Sequence, residues 1–293
     1  MPPAPSPHET DDLNIEVGAA VGRGTASYEA GAQAARDALA GIRRHGPAAV
    51  LVFASVRHDL EALLRGVRSA TGDAPLVGAT TAGEICGGHH RESAVVGVLA
   101  SPFLSVRVGV GEGVSRDWRA ALEQALSTPG LAPFFDGTPH AWADLASRGR
   151  SAFAILVSPG NTRGAVSHSF DLLEALKRRS LGCLPIFGGS AADDWRMERN
   201  FALADGRAVP DAVLVALCET DLQFGIGLEH GLRASSARAT VTEASGHEVI
   251  QLDGRPAWSC TRRSPRSVPG TPIASCSSPA ARSPRRRGST STS

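Results

Sequence analysis

Cysteine is scarce and unpatterned. Cys86, Cys183, Cys218, Cys260 and Cys276 give an odd count with no C-x-x-C spacing, which excludes a disulfide framework and points to a reducing cytoplasm. No run reaches the ~18–20 apolar residues of a membrane span. The nearest, Ala94–Val110, is interrupted by Ser101, Pro102, Ser105 and Arg107, so no membrane insertion is expected. The N-terminus lacks a basic region followed by an apolar one, so no secretory signal is expected either. Lysine is nearly missing: Lys177 stands alone among 30 basic residues, a bias of coding composition and not of function. What is present, 293 residues at 42% apolar and 20% charged, can bury the core of one large domain or two small ones without staples.

Charge is unevenly placed. Ser259–Ser293 holds seven arginines and no acid, which leaves residues 1–258 with 23 basic against 29 acidic residues, a net of −6. A mildly acidic body argues against nucleic acid as a partner. Ser, Arg, Pro and Thr make up 26 of the last 35 residues, too little apolar surface to offset the entropy of ordering. A disordered tail over 259–293 is therefore expected, and the Pro- and acid-rich residues 1–14 are read as a disordered leader. The abruptness of the change after Trp258 also fits a shifted reading frame.

Between leader and tail the apolar residues are periodic. Ala35, Ala38, Leu39 and Ile42 form one helix face, and Leu60, Leu63, Leu64 and Val67 another. Between them Ala49–Ala54 is a buried strand, and Pro75-Leu-Val-Gly closes a β-α-β unit. Ala94–Ala100 and Leu104–Val110 follow as strands, and Ser115 is placed to cap a helix carrying Trp118, Ala121, Leu122 and Ala125. The pattern then returns: strand Ala152–Val157, helix face Val166/Phe170/Leu173/Leu176, strand Leu184-Pro-Ile-Phe-Gly, then strands Ala212–Cys218 and Leu222–Leu228. Ala74-Pro-Leu-Val-Gly-Ala-Thr-Thr-Ala-Gly-Glu aligns with Leu184-Pro-Ile-Phe-Gly-Gly-Ser-Ala-Ala-Asp-Asp, and Val108-Gly-Val-Gly with Phe224-Gly-Ile-Gly. The expected fold is α/β, a mixed α+β arrangement of internally duplicated β-α-β-β-β units forming mixed sheets flanked by helices. The domain spans 15–258, with halves at about 15–126 and 150–258.

The chemistry-bearing residues cluster where strands end. Each half follows a buried strand with a small, hydroxyl-bearing loop: Thr80, Thr81, Gly83 and Glu84 in the first, and Gly188, Gly189, Ser190, Asp193 and Asp194 in the second. Small residues let a backbone approach a ligand, and open α/β sheets bind ligands at the carboxyl ends of strands. The loop Ser158–Gly164 adds Asn161 and Arg163, which suit a carboxylate. If the halves are equivalent, the two loops share one cleft suited to a zwitterion, its ammonium meeting Glu84, Asp193 or Asp194. Structural alternatives stand beside these readings: glycines that merely permit tight turns, and adjacent aspartates that cap backbone. Catalytic patterns fail. There is no G-x-S-x-G elbow, no Walker loop and no complete Rossmann glycine set. Ser190 with His230 is the one nucleophile–base pairing left open. Cys86-Gly-Gly-His89-His90 has ligand-like spacing but no second cluster, so no metal site is expected.

Four motifs in order resemble one family. Val77-Gly-Ala-Thr-Thr-Ala-Gly-Glu, Phe187-Gly-Gly-Ser-Ala-Ala-Asp-Asp, Phe224-Gly-Ile-Gly-Leu-Glu-His-Gly and Val241-Thr-Glu-Ala…Leu252-Asp-Gly-Arg-Pro-Ala resemble the FIST N-terminal domain over about residues 15–257. The resemblance implies a cytoplasmic sensory module of bacterial signal transduction that binds amino acids or similar small polar metabolites. It implies partnership with a histidine kinase, a cyclic-dinucleotide enzyme or a chemoreceptor. It also implies a C-terminal FIST domain, in whose place this chain has the Ser/Arg/Pro tail. The expectation is a binding domain, not an enzyme, without a cofactor. Two alternatives stay open: a haem-based nitric-oxide sensor with His230 as axial ligand, and an enzyme built on the Ser190–Asp194 loop. Because the tail contributes no core residue in this reading, deleting 259–293 is expected to change stability by less than about 1 kcal/mol. Chemical denaturation of the two proteins checks this.

Overall fold

The computed structural model describes residues 14–24, 26–228, 238–245 and 248–261. The expected leader through residue 13, the expected tail from residue 262, and His230 lie outside the described residues. The chain divides into two units after Gly227.

The larger unit begins β1 (Glu16–Gly22), α1 (Ser27–Leu39), β2 (Pro47–Ala54), α2 (Leu60–Thr71) and β3 (Leu76–Thr80). A short hairpin, β4 (Glu84–Ile85) and β5 (His89–His90), leads to β6 (Ala94–Ala100). Next come β7 (Leu104–Glu112), α3 (Val114–Leu126), a 3-10 turn, α4 (His140–Ser147), β8 (Ser151–Ser158), α5 (Ser169–Arg179) and β9 (Ile186–Ser190). It closes with β10 (Phe201–Ala204), β11 (Arg207–Pro210) and β12 (Ala212–Thr220). Local chemistry explains the boundaries. Asp59 caps α2 by accepting the Ala62 N–H at 3.0 Å, and Gly72, at φ +62°, ends it. The α2 stripe of Leu60, Leu63, Leu64 and Val67 is buried as its spacing requires.

Two sheets result. The first runs β1-β6-β2-β3-β10-β11 and the second β7-β12-β8-β9. In both, the first four strands pair antiparallel, antiparallel and parallel: β1/β6, β6/β2 and β2/β3, then β7/β12, β12/β8 and β8/β9. Each sheet is thus one copy of a β-α-β-α-β-β repeat. The hairpin β10–β11, inserted in the second copy, is added to the edge of the first through β3. The alignment of Gly78 with Gly188 has a physical counterpart. Gly78 stands opposite Val52 and Gly188 opposite Leu156, and a Cβ on either would lie 1.9 Å from that neighbour's carbonyl oxygen.

Several expectations are corrected in detail. Strand β7 occupies the place of β1, so strand order puts the second copy's start at Leu104 and not near residue 150. Residues 222–228 form no strand, and Val108-Gly-Val-Gly is therefore equivalent to the β1 segment and not to Phe224-Gly-Ile-Gly. Gly113 precedes α3 while Ser115 bonds Asp211, so Ser115 is not its cap. On α5 the buried residues are Leu172 and Leu176; Val166 and Phe170 are exposed.

The packing is four layers deep. α1 and α2 cover the outer face of the first sheet through Ala34, Ala38, Leu63, Leu64 and Val67. α3, α4 and α5 cover the outer face of the second through Leu122, Leu145, Leu172 and Leu176. Between the sheets, Val77, Ala79, Ala202 and Val209 meet Val157, Leu214 and Ala216. Strand β12, Ala-Val-Leu-Val-Ala-Leu-Cys-Glu-Thr, is buried at all nine positions, which is why its first seven residues, Ala212–Cys218, read as an unbroken apolar run.

The smaller unit holds a three-stranded antiparallel sheet of β13 (Val241–Ser245), β14 (Glu248–Leu252) and β15 (Arg255–Pro256), followed by a helical turn, α6 (Ala257–Thr261). Asp253 and Gly254 both have positive φ, as a two-residue hairpin turn requires.

The paired glycines generate a test. Gly78→Ala and Gly188→Ala are each expected to lower stability by about 1–3 kcal/mol through forced strand displacement. Gly189→Ala, whose added Cβ meets nothing within 4 Å, is expected to stay within about 0.5 kcal/mol of wild type in the same denaturant melts.

Candidate functional site

The carboxyl ends of β3 and β9 are equivalent in the two copies, and the chain brings the loops that follow them together. Ala192 donates its N–H to the Thr80 carbonyl at 2.8 Å, and Asp194 donates to the Thr81 carbonyl at 3.1 Å. Ser55, at the end of β2, donates its hydroxyl to Asp194 Oδ2 at 2.7 Å. The loop is held by Asp193, a buried carboxylate that accepts the backbone N–H groups of Met197, Glu198 and Arg199 at 3.0, 2.7 and 2.9 Å. Asp194, Trp195 and Met197 adopt positive φ within this turn, and three charge-assisted bonds at its base hold that conformation.

Several expected binding residues have their polar groups engaged inside the fold. Thr80 is buried and its Oγ1 accepts the Phe201 N–H at 2.9 Å. Glu84 is buried and accepts hydroxyls from Thr81 and Ser93, each at 2.5 Å. Gly83, at φ +143°, lies where a Cβ would meet the His89 ring. Asn161 Oδ1 accepts the Ser167 N–H at 2.7 Å, and Arg163 meets the Asp193–Asn200 loop through its backbone N–H to the Met197 carbonyl at 2.8 Å. Gly188, Gly189 and Ser190 stand apart from these, along β9, in the wall of a cavity of about 250 Å³. There Ser190 Oγ lies 3.1 Å from Ser158 Oγ and 2.9 Å from Ser169 Oγ, hydroxyl against hydroxyl with no base among the described residues. Burial pushes the Cys218 thiol up to about 12, so it is no nucleophile.

One cavity does draw on both loops. It measures about 150 Å³ and is walled by Ala82 from the first loop, by Asp194, Trp195 and Arg196 from the second, and by Arg57, Arg91 and Glu92. Arg57 pairs with Glu92 at 3.0 Å. Among the described residues, the Arg91 and Arg196 side chains have no ion pair or hydrogen bond, and Trp195 is 81% exposed. Three guanidinium groups, two carboxylates and an indole thus surround a small opening. Of these seven residues only Asp194 was singled out from sequence. Trp195-Arg196 follows Asp193-Asp194 directly and was the available signal; Arg57 and Arg91 carry none in one dimension.

Beneath this junction lies His58. It is 8% exposed, its Nδ1 is 3.3 Å from Ser27 Oγ, and its Nε2 has no hydrogen-bond partner among the described residues. Burial pulls its pKa below the ordinary value, with the charges of Glu84 and Asp194 opposing. His89 and His90 sit on β5, where the His90 ring lies 3.0 Å from Arg23 Nη2 and 2.9 Å from the Cys86 carbonyl. No group of three or more His, Cys, Asp or Glu suited to a metal occurs among the described residues. No histidine lines the two cavities just described, and His230, the haem ligand considered from sequence, lies outside the described residues. Among them, no helix is long and apolar enough to cross a membrane.

Two tandem α/β copies whose strand-end loops meet at a polar cavity define a repeated α/β domain with a loop-built site. The chain belongs to the FIST N domain family, whose model matches residues 48–255, and FIST domains are sensory domains of signal transduction. Among curated proteins, an uncharacterized protein of Methanocaldococcus jannaschii is 34% identical over 88 residues, 30% of this chain. The match covers 17% of that protein's own length. Among solved structures, a cyanuric acid hydrolase from A. caulinodans aligns over 69% of this chain and 70% of its own at 14% identity, with a TM-score of 0.31. A second cyanuric acid hydrolase aligns over 71% and 69% at 13% identity, with a TM-score of 0.33.

His58 makes stability depend on pH. Its folded pKa is depressed, so the unfolded chain takes up the proton first. Its contribution is complete above the ordinary histidine value of about 6.5 and is lost as pH falls below it. Denaturant melts between pH 7.5 and 5 are expected to show a slope of up to about 1.4 kcal/mol per pH unit from this group. In His58→Gln that part of the slope should vanish.

Proposed function

We propose that this domain senses a small zwitterionic metabolite, an amino acid or close analogue, bound without turnover where the two loops meet. Arg91 and Arg196 carry the reading: two guanidinium groups with no ion partner among the described residues, in one cavity wall with a carboxylate and an exposed indole. A carboxylate suits the planar guanidinium fork, and an ammonium suits Asp194. The Trp195 ring supplies an apolar cover for a side chain. A cavity of about 150 Å³ suits a ligand of few heavy atoms. The small, polar opening supports an amino acid over a bulky apolar ligand.

Signal output would begin at the same residues. Asp194 already accepts from Ser55, and its neighbours hold positive φ, so a ligand that engages its carboxylate biases the whole Asp193–Asn200 turn. A histidine kinase, a cyclic-dinucleotide enzyme or a chemoreceptor in the cytoplasm is the class of partner that would read this change.

Calorimetric titration with the free amino acids tests the proposal. One or more should bind, while the matching amine without the carboxylate and the N-acetylated form should each bind at least about tenfold more weakly. The charge-assisted bonds at stake are individually worth ~1.5–3 kcal/mol. Arg91→Ala and Arg196→Ala should each weaken binding by about tenfold or more and leave the melting temperature unchanged. Thr81→Val should instead lower stability by about 1–3 kcal/mol, because it strips a donor from buried Glu84. Wild-type affinity in both arginine variants would refute the site, and conversion of the bound ligand would refute binding without turnover.

A further inference from the structure

The two copies of the repeat differ at the outer edge of their last parallel strand. Strand β3 is buried at all five positions, whereas its counterpart β9 is exposed from Phe187 to Ser190. The difference has a structural cause. The outer edge of β3 pairs with β10 in the register Ala79↔Ala202, Gly78↔Leu203 and Val77↔Ala204, and the outer edge of β9 has no strand beside it among the described residues.

The covered edge shows what its cover supplies. Leu203 is fully buried and packs with Val52, Leu76 and the α2 leucines, in the space over Gly78. The equivalent space over Gly188 is the cavity of about 250 Å³, and its wall contains Leu156, Ile186 and Leu173. Leu156 and Ile186 are the counterparts of Val52 and Leu76 in the two registers, and Leu173 lies on the helix that corresponds to α2. The cavity is therefore a leucine socket without its leucine. On the opposite face of the sheet, Phe187 stacks on Phe153 at 5.5 Å and remains 40% exposed. Open backbone, an apolar socket on one face and an exposed ring on the other are what strand addition to a sheet edge uses.

We propose that the free edge of β9 is a docking site for a β-hairpin of the β10–β11 kind, carried by a further repeat of this same fold. The occupant is chosen by the chain itself, in which a hairpin inserted in one copy already closes the equivalent edge of the other. The expected register sets a leucine opposite Gly188 and small residues opposite Phe187 and Gly189.

The chain's own hairpin is a ready probe. A cyclised peptide of residues Phe201–Pro210 is titrated into the full chain, with amide hydrogen exchange read at Phe187–Ser190. Binding that slows exchange there by about tenfold or more supports the proposal. So does a loss of at least about tenfold in affinity for the peptide carrying Leu203→Ala. Gly189→Lys in the chain places a charge on the edge where an added Cβ meets nothing within 4 Å. It should abolish peptide binding while leaving the melting temperature unchanged. Should the free peptide fail to form a hairpin, the same residues are appended to the chain through a Gly/Ser linker, which raises their effective concentration to the millimolar range. No protection of β9 in either format overturns the proposal. It is equally overturned if the edge instead self-associates, seen as a dimer that Gly189→Lys dissolves and the peptide does not disturb.

Discussion

The buried carboxylate of Asp193 holds together the part of the molecule where its two copies touch. It accepts three backbone N–H groups from the turn that follows β9, and in doing so presents the next residues to the end of β3. Without those bonds, a turn with positive φ at Asp194, Trp195 and Met197 has no reason to persist, and the carbonyls of Thr80 and Thr81 lose their donors. The carboxylate is buried and both of its oxygens are supplied with N–H donors, which leaves it satisfied away from water. A side chain that resembles a binding group in sequence thus acts as the clamp that positions the binding groups.

Repetition sets the rest of the architecture and also limits it. Each copy alone leaves a sheet with one face bare; joining the inner faces through Val77, Ala79, Val157, Leu214 and Ala216 buries both. The helices then cover only the outer faces, and polar chemistry is left to the loops at strand ends. Two copies cannot be fully equivalent in an open arrangement. A hairpin lent by the second copy closes the edge of the first, and the second copy receives nothing in return among the described residues.

The same logic separates groups that support the site from groups that are free to bind. Thr80, Thr81, Glu84 and Ser93 satisfy one another or the backbone in the interior, where an unpaired polar atom is costly. His58 beside them has its pKa held below the ordinary histidine value, because burial outweighs the attraction of two nearby carboxylates. Arg91 and Arg196, by contrast, keep their charges at the surface with no partner assigned among the described residues. Availability, not residue type, distinguishes the two groups.

The sequence by itself determined the α/β class, the repeat and the position of the loops. Those rest on short-range periodicity and on the 110-residue alignment of Gly78 with Gly188, which the same strand-to-glycine contact explains in both copies. It also singled out Asp193 and Asp194. Only the tertiary structure decided that one is a clamp and the other lines a cavity, since that depends on which N–H groups reach each carboxylate. Only the tertiary structure moved the boundary between copies to Leu104, because strand order is a pairing between distant segments that periodicity does not encode. Arg57, Arg91, Trp195 and Arg196 come from three separate stretches of chain and have nothing in common until the loops fold onto one another. Which strand edge is closed was likewise a matter of partners: β3 and β9 share their central glycine and their place in the repeat, and only β3 has β10 beside it among the described residues.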